Sequence, residues 1–182
     1  MKLVLIGIQG AGKSTQGILL SEKYGIPYLS SGHIFREMAK EKTDLGRWLK
    51  ETLNSGALVP DAETLEIVLT YLEKPEYAKG YILDGFPRTV VQAEAFNGSI
   101  DEVIYINVTA KEALWRISGR EQLRDDETLA AIRKRIELFF SVTMPVVDYY
   151  RKIKKLIEID GEVPVEEVFA NIVGQLEAKS HA

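Results

Sequence analysis

The chain predicts an α/β fold: three layers, with a five-stranded parallel sheet carrying helices on both faces. Three observations predict it. Short apolar, largely β-branched runs recur along the 182 residues, and segments of helical periodicity separate each run from the next. The first run ends in a glycine-rich turn that feeds directly into a helix. Strands joined through helices need crossover connections, so they lie parallel, and any ligand crevice forms at their carboxyl ends.

The elements follow in order. Lys2 to Ile6 is the first strand, and Gly7-Ile8-Gln9-Gly10-Ala11-Gly12-Lys13-Ser14 fits GxxxxGK[ST], the pattern of a phosphate-binding loop. Glycines at 7, 10 and 12 let the backbone turn N–H groups toward one centre, and the helix predicted over Ser14 to Tyr24 points its N-terminus at the same place. An anion there meets oriented N–H dipoles, the Lys13 ammonium and the Ser14 hydroxyl, the last suited to Mg²⁺. Gly25 and Pro27 break that helix before a brief strand ending at Ser30, and Ser31 stands where a cap is expected for a helix over Ile34 to Lys42. Thr43 or Asp44 can cap a helix carrying Trp48, Leu49 and Leu53 that ends near Gly56. Asp61 can cap the next, in which Leu65, Val68, Leu69 and Leu72 keep helical spacing. This helical block lengthens one crossover, as a small subdomain closing over a substrate would.

Tyr81 to Asp84, Val103 to Asn107 and Lys155 to Ile159 complete the five strands. A long helical stretch is predicted from Asp126 to about Tyr150 with a break at Pro145, and a final amphipathic helix over Val165 to Glu177. Length and the absence of repeats or linkers predict one domain spanning residues 1–182.

Composition narrows the function classes. Hydrophobic content of 46% and charged content of 27% are those of an ordinary globular protein. A net charge of −4 disfavours nucleic acid as a partner while leaving a single nucleotide open. The chain has no cysteine, so it has no disulfide and no thiolate metal site. No signal peptide or membrane-spanning run is read at the N-terminus, which makes the cytoplasm the expected compartment. No membrane or protein partner is expected.

Asp84-Gly85-Phe86-Pro87-Arg88 ends a buried strand, where an acid can reach the phosphate loop and hold Mg²⁺ directly or through water. With this motif the resemblance becomes specific. GIQGAGKSTQ at 7–16, SSGHIFR at 30–36, GALVPD at 56–61 and DGFPRTVVQ at 84–92 stand in the order and spacing of the adenylate kinases, within the nucleoside-monophosphate kinases. The chain resembles them nearly end to end. The resemblance implies a P-loop fold with a small helical insertion binding the nucleoside monophosphate, about residues 31–60, and a minimal lid, about 118–125. It implies reversible, Mg²⁺-dependent phosphoryl transfer from ATP to AMP giving two ADP.

Residue by residue, the resemblance implies that Gly10, Ala11, Gly12, Lys13, Ser14 and Thr15 bind ATP and that Ser14 and Asp84 serve Mg²⁺, partly through water. Arg36 and Arg88 would hold the acceptor phosphate as planar forks. Ser31, the backbone at Val59, Gly85 and the Gln92 amide would face the AMP moiety. Gln92 carries the clue to the base, because an amide offers both a donor and an acceptor to the edge of adenine. Arg116 and Arg120 lie on one helix face, the first against the donor base and the second on phosphate. Arg124 and Arg135, eleven apart and flanking the acidic Asp126 and Glu127, match a pair of phosphate-clamping arginines. Lys13, Arg88, Arg120, Arg124 and Arg135 are the catalytic set, since fixed cations stabilise the charge of a phosphoryl transfer without reorganising.

Three departures from the family pattern stand out. Only Glu121, Gln122 and Leu123 separate Arg120 from Arg124, so the chain resembles short-lid variants and has no lid zinc site. His33 replaces the pattern's aspartate, and two readings stay open: a silent replacement, or an altered charge beside the metal. Ile8, Gln9 and Ser14 replace Pro, Pro and Gly, with the loop glycines intact. Trp48, Trp115, Tyr149 and Tyr150 are read as packing groups, and His181 as part of a frayed tail. A kinase for CMP or UMP, or a nucleotide-binding regulatory protein on the same fold, are the alternatives.

Overall fold

The computed structural model describes residues 1–96, 100–119 and 127–180. Its strands β1 (Lys2–Ile6), β2 (Tyr28–Ser30), β3 (Tyr81–Asp84), β4 (Glu102–Asn107) and β5 (Leu156–Asp160) form one sheet in the order β2-β3-β1-β4-β5. Every pairing is parallel. Leu3, Val4, Leu5 and Ile6 point alternately to opposite faces of the central strand and none is more than 3% exposed, so both faces are covered. α1 (Lys13–Tyr24) packs on β3 and against α9 (Val165–Ser180), and α5 (Val90–Phe96) packs against α8 (Met144–Lys152). The expected five-stranded parallel sheet is therefore present. β1 has β3 on one side and β4 on the other, so its carboxyl end is the point where crossovers diverge and a crevice opens.

The intervening helices are α2 (Ser31–Met38), α3 (Asp44–Asn54), α4 (Asp61–Leu72), α6 (Ala110–Ser118) and α7 (Leu129–Leu138). Two caps differ from the sequence reading. α2 starts directly at the end of β2 with Ser30 as its cap, the Ser30 hydroxyl accepting from the His33 N–H at 3.3 Å. No residue separates strand from helix, so Ser31 is already the first helical residue. α4 is preceded by Pro60, and Asp61 makes no capping bond because its carboxylate is engaged elsewhere. Thr43 caps α3 as expected, accepting from Gly46 N–H at 2.9 Å.

The predicted long helix from Asp126 is two helices. Thr128 caps α7, and Phe139–Thr143 form a π-helical turn in which the Met144 N–H reaches the Phe139 carbonyl. Pro145 has no N–H for the preceding turn, and one residue of wider winding lets α8 restart with the proline in its first turn. Asp126 and His181 lie outside the described residues. Trp48, Tyr149 and Tyr150 pack on the core, but Trp115 is 70% exposed and is no packing group.

Candidate active site

The loop from Gly7 to Gly12 leaves β1 at the crevice. A Cβ at Gly7 would lie 2.8 Å from the Ile106 carbonyl of β4, and one at Gly10 2.6 Å from the Ala113 carbonyl of α6, so the loop is pressed against both neighbours. Gly12 meets nothing, yet its φ of +87° selects glycine. It is also the cap residue of α1 and offers no side chain to the first-turn N–H groups, which are left for an anion. The Lys13 ammonium donates to the carbonyls of Gly7 at 2.8 Å and Ile8 at 3.1 Å and lines the crevice.

The crevice encloses about 690 Å³, within the range of small-molecule sites. Lys13, Arg36, Arg88, Arg116 and Arg135 line it, against the carboxylates of Asp84 and Glu112. A chain of net charge −4 thus concentrates cations in one cleft, the arrangement that attracts phosphates. Three of these arginines are held by backbone or acid. Arg88 donates through Nε to the Gly85 carbonyl at 2.8 Å, Arg135 through Nη2 to the Leu53 carbonyl at 2.9 Å, and Arg116 to Glu112 at 2.7 Å and the Gly161 carbonyl at 2.9 Å. Arg36 lies against Gly32, where a Cβ would stand 3.2 Å from its guanidinium. Such tethering fixes the forks before any ligand arrives.

Gln92 is 1% exposed yet reaches the crevice wall. Its Oε1 accepts from the Arg88 N–H at 2.7 Å and its Nε2 donates to Asp61 Oδ1 at 2.8 Å. Thr89 donates to the same Asp61 oxygen at 2.9 Å, which is why Asp61 does not cap α4. An amide has two donors and two acceptor positions, so Gln92, locked at both ends, keeps one of each for a base edge. Val59 and Gly85 also line the crevice, the Val59 carbonyl accepting from Thr64 at 3.1 Å. A Cβ at Gly85 would stand 2.7 Å from Ser31 Oγ, beside a φ of +83°. Ser31 is not brought to the wall: it is 1% exposed and donates to the Asp84 carbonyl at 3.2 Å, tying α2 to β3.

Arg116 and the exposed Trp115 lie on the wall with Gly10, Val163 and Pro164. Ala11 is buried and donates its N–H to the Ile8 carbonyl at 3.0 Å, and Thr15 is exposed at the crevice rim. Gln9, one of the loop departures, donates to Glu127 at 2.6 Å and joins the phosphate loop to the chain just beyond the expected lid. His33 is exposed and off the crevice wall, its backbone N–H donating to Ser30. Arg120 and Arg124, and most of the 118–125 segment, lie outside the described residues.

Asp84 fits a hard cation. It is 5% exposed; its Oδ2 accepts from Tyr28 at 2.8 Å and lies 3.4 Å from Ser14 Oγ, while Oδ1 is buried with no partner among the described residues. An orphaned carboxylate oxygen is costly unless a cation or its water meets it. No cluster of three or more His, Cys, Asp or Glu suited to a metal occurs among the described residues. A single carboxylate beside a hydroxyl suits Mg²⁺, which keeps its waters and takes the rest of its shell from phosphates. Tyr28, Gln9 and Asp61 are the site-forming residues that sequence reasoning missed. Asp61 stood in the quoted GALVPD, but its partner is 31 positions away, and nothing local marked Tyr28.

A family model described as adenylate kinase matches residues 5–155. The chain is 40% identical over 212 residues to an adenylate kinase of Alkaliphilus oremlandii (strain OhILAs), covering 97% of this chain and 98% of that protein. It is 41% identical over 186 residues to one of Azobacteroides pseudotrichonymphae genomovar. CFP2, covering 97% of each. To one of Mycobacteroides abscessus it is 42% identical over 177 residues, covering 93% of this chain and 96% of that protein. The first alignment is longer than the 182-residue chain, so that relative has insertions absent here.

Proposed function

This chain belongs to the adenylate kinase family, and on that premise we propose how its own residues perform the reversible transfer of a phosphoryl group from ATP to AMP to give two ADP. Gly10, Gly12, Ser14 and Thr15 present loop and first-turn N–H groups to the donor phosphates, Ala11 shapes the loop around them through its own N–H bond to the Ile8 carbonyl, and Lys13 turns from its loop carbonyls to meet the transferring group. Asp84 Oδ1 with Ser14 Oγ would hold the shell of a Mg²⁺ ion, partly through water, and the ion would supply charge neutralisation to the phosphates. Arg116 lies along the donor base. Arg36 and Arg88 hold the acceptor phosphate, and Gln92, with Val59 and Gly85, reads the adenine of AMP. Arg135, with Arg120 and Arg124 from the short lid of about residues 118–125, neutralises the transition state. The helical segment of about residues 31–60 forms the acceptor side. No general base is required, because the acceptor phosphate is already anionic. A cytoplasmic location accords with these substrates, and no helix among the described residues is long and apolar enough to cross a membrane.

The observation that carries the reading is the pairing, in one crevice, of the phosphate loop with an Arg88–Gln92 unit whose amide has one donor and one acceptor left for a base. ADP formation from MgATP measured in parallel with AMP, CMP, UMP and GMP, and with no acceptor, tests it. AMP is expected to dominate, and Arg88→Ala to lower kcat by about 10²-fold or more. Preference for another monophosphate would overturn the base reading, and no phosphorylation of any would overturn the kinase.

A further inference from the structure

The metal-facing carboxylate has a neighbour that neither the phosphate loop nor the arginines account for. Tyr28 opens β2, the strand beside β3, and donates its hydroxyl to Asp84 Oδ2 at 2.8 Å. Tyr28 does not itself line the crevice, so it acts on the site through the groups its hydroxyl meets, Asp84 at 2.8 Å among them. Its place there depends on α1. A Cβ at Gly17 would lie 2.3 Å from Tyr28 Cε2 and 2.5 Å from Cδ2, so the ring edge fills the space that any other residue at 17 would occupy.

The chemistry of this contact is specific. A phenolic hydroxyl offers one O–H donor and no formal charge, and Tyr28 aims it at Oδ2. A neutral donor fixes a carboxylate without cancelling its charge, whereas a lysine or arginine in the same place would compete with a cation. With Oδ2 held, rotation of the carboxylate is restrained and Oδ1 is the oxygen left over. We propose that Tyr28, seated on Gly17, is a positioning residue that clamps Oδ2 of Asp84 so that Oδ1 is presented to the Mg²⁺ shell. The proposal rests on the reading of Asp84 given above.

The test is calorimetric binding of a non-hydrolysable ATP analogue with and without Mg²⁺, to the full chain and its Tyr28→Phe, Gly17→Ala and Asp84→Asn variants. Tyr28→Phe removes one oxygen and keeps the ring. It is expected to leave metal-free affinity unchanged and to reduce the Mg²⁺ enhancement about tenfold. Gly17→Ala is expected to do the same by displacing the ring, and if it does not fold, Tyr28→Phe alone decides. In turnover, Tyr28→Phe should lower kcat with the KM for AMP unchanged, a split that general loosening of the fold would not produce. An undiminished Mg²⁺ enhancement in Tyr28→Phe, with Asp84→Asn losing it, overturns the clamp and leaves the Asp84 reading standing. Retention of the enhancement in Asp84→Asn overturns both. Loss in Gly17→Ala but not in Tyr28→Phe assigns the effect to ring packing and also overturns the clamp.

Discussion

Gln92, proposed above to read the base, shows how much of such a residue is decided by its partners. Held by the Arg88 N–H on one side and Asp61 on the other, its amide cannot flip without placing donor against donor. Gln92→Leu is therefore expected to raise the KM for AMP by about 10–100-fold, with little change in the KM for ATP, because a base edge loses its partners and the Arg88 N–H loses an acceptor. Steady-state kinetics with each nucleotide varied in turn checks this. Asp61→Ala removes only the lock, so a smaller rise in the same constant is expected. Within DGFPRTVVQ the position of Gln92 was legible, since motif spacing is local. Its orientation was not, because that comes from a carboxylate on another element. The same reason hid Tyr28: a tyrosine opening a short strand carries no local mark of the aspartate 56 positions later that it holds.

At the scale of elements, the chain at the end of α3 meets α7 closely at one glycine. Gly56 follows α3 at a φ of +74°, and a Cβ there would stand 2.6 Å from the Ala131 carbonyl and 2.8 Å from its Cα. Arg135, one turn further along α7, donates to the Leu53 carbonyl near the end of α3. Gly56→Ala is expected to cost about 1–3 kcal/mol through backbone strain and collision. It should also raise the KM for AMP by moving Arg135; a thermal melt, falling by about 5 °C, and kinetics on the same preparation test both effects. Strands and most helices were legible as periodicity, because β1 and β3 are buried on both faces and are apolar apart from Lys2 and Asp84 at their ends. The missed boundaries share a cause. Caps depend on which side chain is free, and Asp61 was taken by Thr89 and Gln92, while the π-turn before Pro145 is a backbone adjustment that a hydrophobic pattern does not register.

For the molecule as a whole, the decisive feature is a cationic crevice in an acidic chain whose sequence leaves only three residues between Arg120 and Arg124. Since only three residues separate Arg120 from Arg124 and there is no cysteine, no structural zinc is expected, and a chelator is expected to stop turnover while leaving the thermal midpoint of the nucleotide-free protein unchanged. A drop in that midpoint on chelation would contradict this. A lid as short as the sequence implies would also predict measurable ATP hydrolysis without acceptor, and use of other nucleoside triphosphates at rates within about tenfold of ATP. Strict ATP use with no hydrolytic background would count against it. The sequence by itself determined the sheet, the phosphate loop and the family, because each is written in short-range spacing. Tertiary structure alone decided which oxygen of Asp84 is left without a partner, which half of the Gln92 amide remains open, and that Ser31 turns to the Asp84 carbonyl while Trp115 stands in solvent. Those outcomes depend on contacts between residues tens of positions apart, where burial and competition for hydrogen bonds, not local pattern, select the partner.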